Sequence, residues 1–339
     1  MAEKRIILLT APREPISMSF PSKTIFRTAF VLALAAGLAA VPALSGPSRA
    51  GDSSIEILDT VVSLLPEWPG AESRPKEPEG TAVAVLAGGY MATNAHVIGR
   101  AKKIKIRLED GRLLPADIIG RDMMTDIALI KAPIDFPILP FGRDPKLGEP
   151  VCAIGNQFGM GLSMTCGVAS ALHRTGTGFN EIEDFIQTDA VVNPGGSGGA
   201  LVDSQGHLVG LVSAIFTKDS DANIGVNFAA SMELVMRVVR DLKQYGRVVR
   251  GKPGFGVRNL SDPERRTISG AAVDQLDRDG AAIKAGLEVG DVITGIGKRT
   301  VRKATDVPSA IHMARPGDSL DVTFVRDGKE KTVSLTLLP

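Results

Sequence analysis

From Thr81 onward the chain alternates short apolar runs with turn signals. TAVAVLAG (81–88), KIKIRLE (103–109), ADIIG (116–120), DIALIKA (126–132), PVCAIG (150–155), EDFIQTD (183–189), GHLVGLVSAIF (206–216) and IGVNFAA (224–230) each have strand length and β-type composition. Glu109-Asp110-Gly111 and Ser204-Gln205-Gly206 read as turns between them. Many short strands with frequent turns predict an all-β sandwich or barrel, not βαβ units. One clear helix closes this region. In Ser231–Tyr245, Ser231 caps the start, Leu234, Val235, Val238 and Leu242 share a face, and Gly246 follows the end. Ahead of the strands, Ile55–Leu65 spaces its apolar residues as an amphipathic helix, and the polar, proline-rich residues 70–80 read as a flexible connection.

A second pattern begins near Pro253. A glycine loop, Gly254-Phe255-Gly256-Val257, comes before a helical stretch, Arg278–Ala285, stopped by Gly286. A strand (Asp291–Ile296), a helix (Thr305–Ala314) and a hairpin turned at Arg326-Asp327-Gly328 complete a small α+β domain. The expected organisation is a leader at 1–50, a helix and linker at 51–80, a β-rich domain at 81–250 and the α+β domain at 251–339.

The amino terminus reads differently. Lys23 and Arg27 precede the apolar run Ala29–Leu44, and small residues follow, the pattern of a secretory signal peptide starting at Met1 or Met18. An uncleaved membrane anchor is the alternative. Export puts Cys152 and Cys166 in an oxidising compartment, where they form a disulfide or remain two buried thiols.

Composition narrows the function. A net charge of +1 gives no electrostatic footprint for nucleic acid. Metal-ligand and phosphate-cradling motifs are missing, so no metal or cofactor is expected. What stands out is Asn193-Pro194-Gly195-Gly196-Ser197-Gly198-Gly199, one hydroxyl among four glycines between apolar runs. Such a loop is either a surface hairpin or a nucleophile loop whose bare N–H groups meet a developing negative charge. A serine nucleophile needs a base and an orienting acid. His96 lies where a strand gives way to a turn, Asp126 heads an apolar strand, and the order is His, Asp, Ser. His173, His207 and His312 suit surface or packing roles.

TNAHVI around His96, GRDMMTDIALIK around Asp126, AIGNQFG at 153–159, FIQTDAVVNPGGSGGAL around Ser197 and NIGVNFA at 223–229 resemble the HtrA (DegP-like) family. That resemblance implies a mainly β chain: a trypsin-like pair of six-stranded barrels followed by one PDZ domain. It implies His96 as general base, Asp126 as its orienter, Ser197 as nucleophile, and an oxyanion hole in Gly195, Gly196 and Ser197, with the N–H groups of Gly195 and Ser197 as donors. The family usually carries Asn at Gly196, Gly at Asn227, and GSG where this chain has Gly80-Thr81-Ala82; a glycine at 196 loosens the loop. Val191 stands at the floor of the specificity pocket and Val226 on its wall beside Asn227, so cleavage after small or medium aliphatic residues is expected. Val212-Ser213-Ala214-Ile215 pairs with extended substrate. The motif position of Asp189 in the family implies a structural role rather than a site role.

The second domain resembles a PDZ module, most strongly in AGLEVGDVITGIGKRTV at 285–301. Gly254-Phe255-Gly256-Val257 would capture a peptide's terminal carboxylate, and Val307, Ala310 and Ile311 would face the groove or pack in the core. The family implies an exported, periplasmic or secreted endopeptidase acting on unfolded or damaged proteins under stress. Its partners would be polypeptide substrates and peptide C-termini, and its state a trimer-based homo-oligomer. The competing function is a chaperone-like or peptide-binding protein with a dormant protease site.

Overall fold

The structure, a computed structural model, describes residues 57–67, 80–215 and 224–339. The expected signal peptide and most of the proline-rich connection lie outside them.

Twelve strands form two closed barrels. The first uses β1 (Val61–Glu67), β2 (Gly80–Leu86), β3 (Tyr90–Asn94), β4 (Lys103–Arg107), β5 (Leu113–Asp122) and β6 (Ile127–Lys131), closed in the order β1-β2-β3-β6-β5-β4. The second uses β7 (Pro150–Gly155), β8 (Ser163–Arg174), β9 (Phe185–Thr188), β10 (Ala200–Asp203), β11 (Leu208–Ile215) and β12 (Asn227–Ser231), closed as β10-β11-β12-β9-β8-β7. The fold is mainly β, as the turn spacing predicts.

One expectation fails. The helix expected over Ile55–Leu65 does not run to its end: Val61–Glu67 is strand β1, hydrogen-bonded between β2 and β4. The first barrel therefore begins before residue 81. Val61 to Leu64 are all buried, and a strand covered on both faces reads as a continuous apolar run that periodicity cannot separate from a helix. Barrel closure decides between them.

Cys152 and Cys166 form a disulfide between directly opposed residues of β7 and β8. The helix Met232–Tyr245 follows β12, its Leu234 N–H capped by the Ser231 hydroxyl and its end turned by Gly246 in the left-handed region. This helix packs Leu234, Val235, Val238 and Leu242 into a core shared by both barrels, beside Val83, Ala92 and Leu129 of the first and Ile154, Ala200 and Leu211 of the second. A common apolar core fixes the angle between the barrels, and with it the cleft between them.

The carboxy-terminal sheet runs β13 (Phe255–Asn259), β14 (Ala271–Leu276), β15 (Val292–Ile296), β17 (Ser319–Arg326) and β18 (Lys329–Thr336), with the short β16 (Arg299–Thr300) on β15. Helices Ala281–Ala285 and Asp306–Ile311 cover its separate core. Among the described residues no helix is long and apolar enough to cross a membrane.

Candidate active site

The pairing of β3 with β6 sets Asn94 opposite Ile127, which brings the corner after β3 against the turn before β6. Both chains are then stapled together. The Asp126 carboxylate accepts from the His96 backbone N–H at 2.8 Å and contacts His96 Nδ1 at 2.6 Å. The Asp126 carbonyl accepts from Ala95 N–H and Asn94 Nδ2, each at 3.0 Å. To present both its carboxylate and its carbonyl to this corner, Asp126 takes a φ of 58°, a left-handed conformation that aspartate tolerates better than most residues. The carboxylate is largely buried, while the imidazole has half its side chain exposed to the cleft. A buried acid thus fixes one ring nitrogen and leaves the other face of the ring open.

The glycine loop approaches from the second barrel. Asn193 to Gly196 form a β-turn closed by the Gly196 N–H on the Asn193 carbonyl at 2.9 Å. Proline at its second position and Gly195 at φ 93° are the residues a type II turn demands. Gly196 is therefore not a free donor, because its N–H closes the turn. The Gly195 and Ser197 N–H groups have no protein acceptor among the described residues. Gly198 is required sterically: a Cβ there would overlap the Thr81 carbonyl oxygen, and its φ is +84°. At Gly196 a Cβ would come no closer than 3.1 Å to the Asn193 carbonyl, so glycine is not obligatory there. Ser197 Oγ donates to the Ser213 carbonyl at 3.3 Å. Asn94, from the first barrel, also donates to Ser213 Oγ at 3.2 Å, joining the Asp126 corner to the strand beside the serine.

Of the expected pocket residues, Val191 is 42% exposed, and its carbonyl accepts from Gln157 Nε2 at 3.3 Å and from Thr165 Oγ1. Val212 and Ser213 are buried in β11, where Ala214 and Ile215 pair with Phe228 and Asn227 of β12. Val226 packs against the shared core. Asn227 is fully buried and donates to the Ala190 carbonyl at 2.9 Å, bracing the segment that leads into the glycine loop. Asp189 accepts from Val168 N–H at 2.7 Å. In the carboxy-terminal sheet, Phe255, Gly256 and Val257 lie on β13, which among the described strands pairs only with β14 and so leaves an edge. Gly254 precedes it at φ 74°. Val307, Ala310 and Ile311 are buried in that sheet's core. Among the described residues no group of three or more His, Cys, Asp or Glu is arranged to hold a metal ion.

Sequence reasoning missed the partners that assemble the site. Thr81 and Asn94 are buried polar side chains in apolar strands, and that mismatch is the signal that could have found them. His173, set aside as a surface group, contacts the fully buried Asp184 at 2.9 Å. Arg299 of the carboxy-terminal sheet grips both Asp184 oxygens, at 2.8 and 2.9 Å, and reaches Glu233 at 2.6 Å. Burial would raise the Asp184 carboxyl. Hydrogen bonds from His173, Arg299 and Ser231, together with the Arg299 charge, outweigh it and hold the group well below the usual carboxylate range.

Comparison with known proteins agrees with this architecture. Residues 80–211 match the trypsin-like peptidase domain family and residues 251–337 the PDZ domain family. A probable periplasmic serine endoprotease, DegP-like, of Ectopseudomonas mendocina is 35% identical over 290 residues, covering 83% of this chain and 61% of the relative. The chain thus spans less than two thirds of the length of such DegP-like relatives. The serine endoprotease DegS of Escherichia coli K12 is 35% identical over 269 residues, 76% of each chain. Among solved structures, the HtrA-type protease AlgW with a tripeptide superposes with a TM-score of 0.68 at 34% identity, covering 84% of this chain and 95% of that one.

Proposed function

The chain belongs to the HtrA (DegP-like) family of serine endoproteases, and from that premise we propose that it is an exported endopeptidase cleaving unfolded or damaged polypeptides through an acyl-enzyme. Ser197 Oγ is the nucleophile and His96 the general base that later protonates the leaving amine. Asp126 holds the imidazole in the tautomer whose other nitrogen accepts the serine proton. The N–H groups of Gly195 and Ser197 receive the oxyanion, each worth roughly 3 kcal/mol in the transition state. The observation that carries this reading is the junction of two rigid halves at one cleft: a stapled His96–Asp126 corner, and a serine loop with two unclaimed N–H groups. For attack, the Ser197 hydroxyl turns from the Ser213 carbonyl to the ring.

Val191 and Val226 favour small or medium aliphatic residues before the scissile bond. The edge of β13 accepts an extended peptide C-terminus as an added strand. The periplasmic naming of the relatives and the leader-like residues 1–50 support export. By analogy with the family, trimers are the working assembly.

The resting contact of Ser197 with Ser213 favours one competitor, a binding protein with a dormant site. Casein digestion by the full chain and by Ser197→Ala, each with and without a hydrophobic C-terminal peptide, separates them. The protease reading predicts cleavage by the wild type alone. Casein left intact by both proteins, even with the peptide, rejects it.

A further inference from the structure

The carbonyls of the serine loop from Asn193 to Ser197 are each held from outside or by the loop itself. The Pro194 carbonyl accepts from Phe158 N–H at 2.7 Å, and the Gly195 carbonyl from the Thr81 hydroxyl at 2.7 Å. The Gly196 carbonyl accepts from Gly199 N–H at 3.0 Å, and the Ser197 carbonyl from Thr81 N–H at 2.9 Å. A trans peptide is planar, so fixing a C=O fixes the following N–H in the opposite direction. The Phe158 bond therefore aims the Gly195 N–H, and the Gly199 bond aims the Ser197 N–H. The peptide between those two donors is the 195–196 unit, and a side chain of the first barrel holds it.

We propose that Thr81 is a positioning residue for the oxyanion hole, its hydroxyl locking the 195–196 peptide so that the Gly195 and Ser197 N–H groups keep one spacing. Thr81 is fully buried, and every polar group it carries is used. Its hydroxyl donates to Gly195 O and accepts from Asn156 N–H at 3.0 Å. Its carbonyl accepts from the Thr93 hydroxyl at 2.7 Å. Asn156 leads into the turn that carries Phe158, so one hydroxyl connects the two supports of the loop. This arrangement answers the looseness expected of Gly196. A loop with two adjacent glycines at its centre is ordered by an anchor on the other barrel rather than by a side chain of its own. Thr81 touches neither substrate nor reacting atoms.

The inference rests on Ser197 being the nucleophile, and the test keeps the two apart. Full-length wild type, Thr81→Val, Thr81→Ser and Ser197→Ala are compared on a peptide substrate and against a peptide boronic acid, which forms a tetrahedral anionic adduct. Thr81→Val should lower kcat about 10-fold, less than the roughly 10²–10³ seen when an oxyanion donor is removed outright. KM should stay within about 2-fold, and boronate affinity should fall by the same factor as kcat. Thr81→Ser, which keeps the hydroxyl, should recover kcat. A merely structural role would lower the Tm without that split between kcat and KM. If Thr81→Val does not fold, Thr81→Cys, of similar volume with a weak donor, carries the same comparison. Wild-type kcat in the folded valine or cysteine variant overturns the inference alone. Wild type no more active than Ser197→Ala sinks the protease reading, and this inference with it.

Discussion

Where the first barrel meets the second, the contacts are apolar side chains and neutral hydrogen bonds. Val83, Leu129, Ile154 and Leu211 share one core with the Met232–Tyr245 helix, and Thr81 and Asn94 reach across with uncharged groups. Where the second barrel and its helix meet the PDZ domain, the main contacts are arginines forked onto buried carboxylates. Arg299 is forked onto Asp184, and Arg315 onto the equally buried Asp241, 3.0 and 2.6 Å away. The Thr175 hydroxyl contacts Thr305 and Asp306, and Lys303 contacts the Thr175 carbonyl. The difference follows from physics. Neutral bonds in a shared core respond weakly to salt and pH, which suits a joint that sets distances at a reaction centre. A buried ion pair contributes little net stability when intact but is expensive to break from one side. It makes a joint that is specific in register and sensitive to its partner's state.

That contrast is open to direct attack. The largest effect is expected from Gly198→Ala, which drives a methyl into the Thr81 carbonyl at a left-handed φ. Peptide hydrolysis should fall at least about 100-fold, because the Thr81 carbonyl and the serine loop must move apart by about 1 Å at the site. Arg299→Ala comes next: Asp184 keeps its hydrogen bonds to His173 and Ser231 but loses its fork, which should destabilise the PDZ seam by about 3 kcal/mol, the low end for a buried pair broken from one side. Limited proteolysis after residue 250 should accelerate, while hydrogen exchange in the shared core stays slow. Equal loss of protection in both regions would erase the distinction between the seams. Asn94→Ala, which removes both side-chain hydrogen bonds of a fully buried residue, should cost kcat/KM about 10-fold and lower the Tm by several degrees, roughly 1 kcal/mol of stability for each bond. Steady-state kinetics beside a thermal melt reads it.

The smallest effects are in pH. Burial, and then the Arg250 charge, push the His312 imidazole down to about 4 against the attraction of Asp122. The unfolded chain therefore takes up the proton first, so this histidine supports folding fully above about 6.5 and progressively less as pH falls toward 4. His173 has the opposite sign. Its hydrogen bond to Asp184 raises it against the opposing effect of burial, so its contribution is full below about 6.5 and is lost as pH rises through the elevated value. His312→Asn should flatten the acid limb of a Tm-versus-pH curve and His173→Asn the alkaline limb, each by about 2–4 °C. Matching shifts at both ends from either variant would contradict the assignment.

Much of this was readable from residue order. The turn spacing announced a sandwich or barrel and eight of the twelve barrel strands, the family resemblance supplied the pair of barrels, and the Ser231-capped helix lies where its apolar stripe put it. Catalytic candidates stood out because a lone histidine, an aspartate heading an apolar strand and a serine among glycines are each odd in context. The joints were not readable. Val61–Glu67 became a strand because a barrel needed closing, a demand made by residues far along the chain. Asp184 and Arg299 are 115 residues apart, and nothing local in either segment announces the other. Thr81 and Asn227 were visible only as departures from a family pattern; their roles depend on which carbonyls lie opposite.

The Cys152–Cys166 bond joins directly opposed residues, so it allows β7 and β8 one alignment and excludes every other. A slip of one position would turn Val151 and Ala153 out of the core and displace the hairpin tip by about 3.3 Å. Phe158 rides on that tip, and its amide aims the first of the two donors at the serine loop. The cross-link is thus a covalent index mark: the register it sets on one hairpin is passed, through a single backbone hydrogen bond, to the donors of the reaction centre.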